Sequence, residues 1–376
     1  MPEAISADFP GGNVGLSQVN ILPDCVKVAF TAHPRGGPEA LWFYFRLHTP
    51  LAGAADLPVE LILEHPDNLL MYGGPDGVYP AIRSNDEDWQ RLPGGREEVL
   101  PDGRRRFCWS LGKLAHPVEI ALSPPYGQPE YRKLLHDLGD QVKNDVIGMT
   151  PNGRALERVS NNYGEPGSAH PGVYMLARQH AGETPGSWVW DGLCRALATP
   201  ARKELLLWGV PFADRDGVDE GRYGKDAYPY DLNRAWGEPP MRHETMVIGH
   251  DIRRWQARCR PRLILDLHAP TGAQHDGLYV YLPKKGSADV LKQAESWADR
   301  LHDALGPQGV SSRFKRIATY PSRWSTPNFT EFAASLGIPA LTVEIPYGMI
   351  GTRALLPADY QAIGKALADA LAKGEG

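Results

Sequence analysis

The sequence predicts an α/β protein, a mixed and mostly parallel sheet covered by helices, preceded by a small antiparallel β-sandwich. Three observations predict it. The first of them is that residues 1–125 read mainly as β, with short strand-like runs between Gly/Pro turns. The second is a change of pattern at Ser123-Pro124-Pro125-Tyr126-Gly127, after which a helical period begins. The third is that short apolar runs alternate with helical stretches from there to the end, as strands buried under helices do.

Each element has its own signal. ALWFYFRL (40–47) is rich in aromatics, VELILE (59–64) alternates apolar with polar, and RRFCWS (105–110) and PVEIAL (117–122) follow. Turn clusters such as GGPDG and LPGG separate them. The pattern sets a boundary between an N-terminal β-sandwich over 1–125 and a second domain over 126–376. EYRKLLHDLGDQV opens that domain as a helix with Leu134, Leu135 and Leu138 on one face. GVYMLA (172–177), ELLLWGVPF (204–212), RLILDL (262–267), LYVYL (278–282) and ALTVEI (340–345) have the character of buried strands. Helices are expected at about 186–197, 241–258, 287–305 and 328–336, with PADYQAIGKALADALAK closing the chain.

Composition narrows the function classes. A chain of 376 residues, 23% charged and 42% hydrophobic, can bury a substantial core. The net charge of -5, with Arg and Lys scattered apart from short runs, speaks against a nucleic-acid partner. The start lacks a basic region followed by an apolar one, and nothing approaches the roughly 18 uninterrupted apolar residues of a membrane span. A soluble, cytoplasmic protein is expected. Cys25, Cys108, Cys194 and Cys259 form no CxxC pair and read as free, buried thiols.

Ligands of open α/β sheets bind outside the carboxyl ends of the strands, and that rule sorts the polar residues. GVYMLA runs into Arg178-Gln179-His180-Ala181-Gly182-Glu183, RLILDL runs into His268, and ALTV ends on Glu344. His-x-x-Glu with a distant His is a zinc set of the two-His, one-carboxylate kind, one Zn2+ per chain, with a fourth position open. Pro185-Gly186 starts the next helix at once and leaves the loop little slack. Between these ligands lies a long charged stretch, 209–237, in which Asp231-Leu232-Asn233-Arg234 sets an acid, an amide and a guanidinium side by side. Arg suits bidentate recognition of a carboxylate, while Asp231 also suits a turn or helix cap in a solvated loop.

ARQHAGET, DRDG, DLNRAW, DLH and TVEIPY, in that order and spacing, resemble the zinc metallocarboxypeptidases. The β-rich segment ending in SPPYG further resembles the cytosolic carboxypeptidase branch, whose members carry an N-terminal β-sandwich. The resemblance implies zinc ligands at His180, Glu183 and His268, a general base at Glu344, and a grip on the substrate's terminal carboxylate by Asn233 and Arg234. It implies that Asp231 orients the first zinc histidine. The family's carbonyl-polarising arginine falls on Gly224, so Lys225 or Arg222 would have to reach instead, and its mobile tyrosine falls on Tyr320. The implied partner is a peptide or small amide with a free C-terminal carboxylate. Two other functions use the same residues: a zinc amidohydrolase of N-acyl amino acids or another small amide, and a non-catalytic binding module on this fold.

Other conspicuous residues have plainer readings. His243-Glu244 with His250 has a spacing of seven instead of the four that HExxH needs, which suits a solvated helix surface. His170 reads as a turn residue and Trp42 to Phe45 as sandwich core. Arg313, Lys315, Arg316 and Arg323 form a local basic cluster, either a solvated loop or a source of preference for an acidic C-terminal residue.

Overall fold

The computed structural model describes residues 4–48, 56–67, 78–84, 87–202, 204–227, 229–271, 274–318 and 325–373. Tyr320, Arg323 and the GGPDG turn lie outside the described residues.

Among the described residues ten strands make up the N-terminal part: β1 (Ile5–Ser6), β2 (Ser17–Ile21), β3 (Val26–Phe30), β4 (Tyr44–Leu47), β5 (Pro58–Glu64), β6 (Ala81–Ser84), β7 (Gln90–Arg91), β8 (Arg96–Val99), β9 (Arg105–Lys113) and β10 (Val118–Ala121). They form two sheets, β1-β4-β10-β6-β7 and β2-β3-β5-β9-β8. All pairings are antiparallel except β3 with β5. In β3 the residues Val26, Val28 and Phe30 are buried and their neighbours half-buried, the period of two that a strand with one core face requires. Phe30 meets Phe43 edge-on at 5.1 Å between ring centres, inside a core that also holds Phe45, Leu61, Phe107 and Trp109. The aromatic run at 40–47 enters ladder pairing only at Tyr44, because Trp42 and Phe43 pack into the core before the strand begins.

Among the described residues the remainder builds an eight-stranded sheet from β11 (Lys143–Met149), β12 (Ala155–Ser160), β13 (Pro171–Ala177), β14 (Leu206–Val210), β15 (Arg260–His268), β16 (Leu278–Tyr281), β17 (Val310–Arg316) and β18 (Ala340–Glu344), besides a two-stranded ribbon of Met349–Ile350 with Arg353–Ala354. Its order is β11-β12-β14-β13-β15-β18-β16-β17. The central pairings β14·β13, β13·β15 and β15·β18 are parallel, whereas β11, β12 and β16 pair antiparallel with β12, β14 and β18. Helices α1 (Gln128–Leu138), α2 (Thr184–Leu197), α3 (Arg215–Glu220), α4 (His243–Gln256), α5 (Ala288–Leu305), α6 (Phe329–Ser335) and α7 (Pro357–Ala372) accompany it. Val173, Met175 and Ala177 of β13 join a core with α1, α2, α5 and α7, while Tyr174 and Leu176 join another with α4 and α6. Both faces are covered, which is why these strands read as unbroken apolar runs. No helix among the described residues is long and apolar enough to cross a membrane.

Three expectations change. The stretch 209–237 holds the helix α3, capped by Asp214 accepting from the Gly217 amide, and a 3-10 turn at Leu232–Arg234. Asp214, Arg215 and Asp216 are buried, so DRDG is an internal support and not a solvated loop. On α4, His243 and His250 are exposed as expected, but Glu244 is buried and paired with Arg242 at 3.0 Å. The cysteines are free, with Cys25 half-buried and the other three buried.

Candidate active site

Parallel pairing brings the ends of β13, β15 and β18 together. Ala177 stands opposite Leu267, and His268 stands opposite Glu344. The Ile345 amide donates to the His268 carbonyl at 3.0 Å and extends that register by one residue. Beyond β13 the chain turns through Arg178 at φ +62°, and the Gly182 amide donates to the Tyr223 carbonyl at 2.8 Å. Gly182 has no room for a Cβ, which would stand 2.9 Å from Trp42 and Tyr223, and a Cβ on Gly186 would stand 2.8 Å from the Leu267 carbonyl oxygen. The first turn of α2 is thereby seated against the end of β15.

His180, Glu183 and His268 meet there, all buried, with one donor atom from each lying within 4.8 Å of the others. Glu183 Oε1 lies 2.8 Å from His180 Nδ1 and Oε2 lies 2.8 Å from His268 Nδ1, and the two Nδ1 atoms are 3.2 Å apart. The outer nitrogens face carboxylates: His180 Nε2 is 3.2 Å from Asp231 Oδ1 and His268 Nε2 is 3.0 Å from Asp266 Oδ2. Such outer carboxylates fix the ring tautomer and aim the inner nitrogen at a cation. Asp231 is itself held by the amides of Asp226 and Asn233 at 2.8 and 2.7 Å, so it caps the 3-10 turn and faces the histidine at once. Gln179 donates to Asp266 at 2.8 Å and accepts from the Trp236 indole at 2.7 Å. Two imidazoles and a carboxylate converging beside a cleft fit a divalent metal with an open position.

The charges agree with that reading. Burial disfavours a protonated His180, but Glu183 and Asp231 outweigh it and lift its pKa to about 9. Burial acts likewise on His268, and Asp266 and Glu183 raise it well above the usual value. Burial alone would raise Glu183, and the two histidines hold it well below the carboxylate range. A cation must therefore displace protons. Apparent Zn2+ affinity is expected to climb with pH through the neutral range by about tenfold per unit for each histidine proton displaced. Titration of the metal-stripped protein at several pH values checks this; an affinity flat between pH 6 and 8 would contradict it.

The cleft beside the cluster has a volume of about 220 Å³ and is lined by Lys225, Asn233, Arg234, Lys284 and Glu344 among others. Glu344 is half-buried, and its Oε2 is buried with no hydrogen-bond partner among the described residues. Burial raises its pKa to about 7, with His268 opposing and Glu183 adding. Asn233 is anchored by accepting from the Phe329 amide at 3.0 Å, and the Arg234 guanidinium donates to the Asn233 carbonyl at 2.7 Å. Gly224 sits at φ +91°, where a Cβ would stand 2.7 Å from the Ala181 nitrogen, so no side chain fits there, while its neighbour Lys225 lines the cleft. Arg222 pairs with Glu220 and is not among the described residues that line the cleft.

The described members of the basic cluster have other surroundings. Lys315 pairs with Glu295 and Asp299 of α5, Arg316 pairs with Asp276 and lies over the Tyr279 ring, and Arg313 is exposed on the edge strand β17. Asp266, Gln179, Trp236 and Lys284 were missed. Asp266 had a signal, being an acid in an apolar strand two residues before His268 and so on the same strand face.

The fold is that of the metallo-carboxypeptidases. It matches the metallo-carboxypeptidase from Pseudomonas aeruginosa in complex with (2-guanidinoethylmercapto)succinic acid at a TM-score of 0.76, with 21% identity and 98% of each chain covered. In sequence the relatives include cytosolic carboxypeptidases. The chain is 28% identical over 194 residues to cytosolic carboxypeptidase 6 of Mus musculus, covering 46% of this chain and 36% of that protein. The match thus spans little more than a third of that relative's length. It is also 25% identical over 289 residues to the uncharacterized protein ZMO1242 of Zymomonas mobilis, covering 72% of this chain and 68% of that one. No family model matches the chain.

Proposed function

We propose that the chain is a cytoplasmic zinc metallocarboxypeptidase that hydrolyses the C-terminal amide bond of a peptide or peptide-like substrate. Its catalytic domain would be residues 126–376, behind a sandwich over 1–125. The observation that carries this reading is the convergence of His180, Glu183 and His268 beside Glu344, with Arg234 in the same cleft. His180, Glu183 and His268 would hold one Zn2+, which when bound supplies Lewis acidity to the scissile carbonyl and the attacking water. Glu344, with a pKa near neutrality, takes the water's proton and passes it to the leaving amine. Arg234 and Asn233 bind the free carboxylate, and this positioning restricts attack to the last bond. Lys225 places a positive charge beside the scissile carbonyl, and Tyr320 keeps the role of mobile tyrosine on the family resemblance. The succinic acid ligand of the Pseudomonas aeruginosa neighbour supports a substrate that offers a carboxylate.

The test compares wild type and Arg234→Met on peptides with a free C-terminus and on N-acyl amino acids. Loss of a charge-assisted hydrogen bond, about 1.5–3 kcal/mol, should lower kcat/KM on the peptides by roughly tenfold to a hundredfold. An unchanged kcat/KM would remove Arg234 from the carboxylate site. Turnover of acyl amino acids without turnover of peptides would favour the small-amide hydrolase.

A further inference from the structure

We propose that Arg178 is a positioning residue that holds the loop from His180 to Glu183 in the shape its metal ligands need, an inference that rests on the metal reading of that loop. Arg178 is the first residue beyond β13 and is 3% exposed. Its φ of +62° lies in the left-handed region, where residues other than Gly, Asn and Asp are uncommon. A side chain kept at such a position is there for what it contacts. Nε–H and Nη2–H both donate to the carbonyl of Ala181, the first at 2.7 Å. Nη1–H donates to the Tyr126 carbonyl at 2.8 Å and to Ser187 Oγ at 3.1 Å.

These contacts tie three pieces together. Ala181 lies between the ligands His180 and Glu183, Ser187 belongs to the first turn of α2, and Tyr126 precedes α1. Among the described residues no other donor reaches the Ala181 carbonyl. The preceding peptide, between His180 and Ala181, is closed on its own side, since Gly224 stands so near that its Cβ would be 2.7 Å from the Ala181 nitrogen. The loop is therefore gripped from both sides at the residue following His180. Arg178 has no acidic partner among the described residues, so its fork of donors is committed to backbone and hydroxyl oxygens. A lysine, with one point charge in place of a planar fork, cannot reproduce that set.

Arg178→Gly and Arg178→Asn both accept the left-handed conformation and remove the guanidinium, which separates the side chain from the backbone strain. The measurement is the Zn2+ dissociation constant of the full, metal-stripped chain by competition with a chromogenic chelator, with near-UV circular dichroism and thermal unfolding in parallel. Wild type should bind one Zn2+, and both variants should bind 10- to 100-fold more weakly while their metal-free spectra stay native. Arg178→Lys keeps the buried charge and carries the test if the other two do not fold; it too should lose affinity. Folded variants with wild-type zinc affinity would overturn the positioning role. Absence of zinc binding in wild type would instead overturn the metal reading, and the role with it.

Discussion

Glu344→Gln is expected to lower turnover by at least about 100-fold while zinc stays bound, the usual size of a lost general base. The substitution keeps volume and shape, so the register that sets His268 opposite Glu344 should survive. What it removes is the proton acceptor, a carboxylate whose Oε2 is buried with no hydrogen-bond partner among the described residues. The pH profile adds a second readout. A base must be ionised, and burial raises the Glu344 pKa to about 7, so kcat/KM in wild type should fall as pH drops through its acid limb. The glutamine variant should show low activity without that limb. Near-wild-type turnover, or an unchanged limb, would take Glu344 out of the mechanism.

Removing the metal should abolish activity and leave the fold. His180, Glu183 and His268 sit at strand ends, and the cores on both faces of the sheet are built from other residues, such as Leu265, Trp190, Ile248 and Trp255. Small metal domains unfold without their ion because they lack such a core; a chain of 376 residues does not depend on it. Chelation should lower the thermal midpoint only by the linkage between binding and folding, about 4 kcal/mol at a thousandfold excess of metal over Kd. Circular dichroism at room temperature should stay native, and Zn2+ should restore activity. Cooperative unfolding on chelation would mark the centre as structural.

Much of this was legible because the central strands are buried on both faces. GVYMLA, RLILDL and ALTVEI announce themselves as apolar runs, and the polar residues that interrupt or end them mark the site. The edges were not legible. β11 and β17 expose half of their residues, so KNDVIGM and VSSRFKR carry no continuous apolar signal. The basic residues of β17 sit on such an edge, where the exposed Lys315 pairs with Asp299 and the half-buried Arg316 with Asp276. The ligands could be named from spacing, but the carboxylate behind each was unequal in visibility. Asp231 came with the DLNRAW motif, while Asp266 hid in a strand as a single polar residue. Gly224 looked like a missing arginine; the structure supplies the reason, because the backbone there lies against the ligand loop.

The central claim is that the chain removes the last residue of a substrate bearing a free carboxylate. It is tested most directly by incubating the zinc-loaded protein with one peptide pool, made once as free acids and once as C-terminal amides, and following the products by mass spectrometry. The account predicts loss of single residues from the C-terminus of the free acids and at least tenfold slower loss from the amides, where the charge-assisted contact to Arg234 is absent. Equal cleavage of both pools, or cleavage at internal bonds, would contradict it.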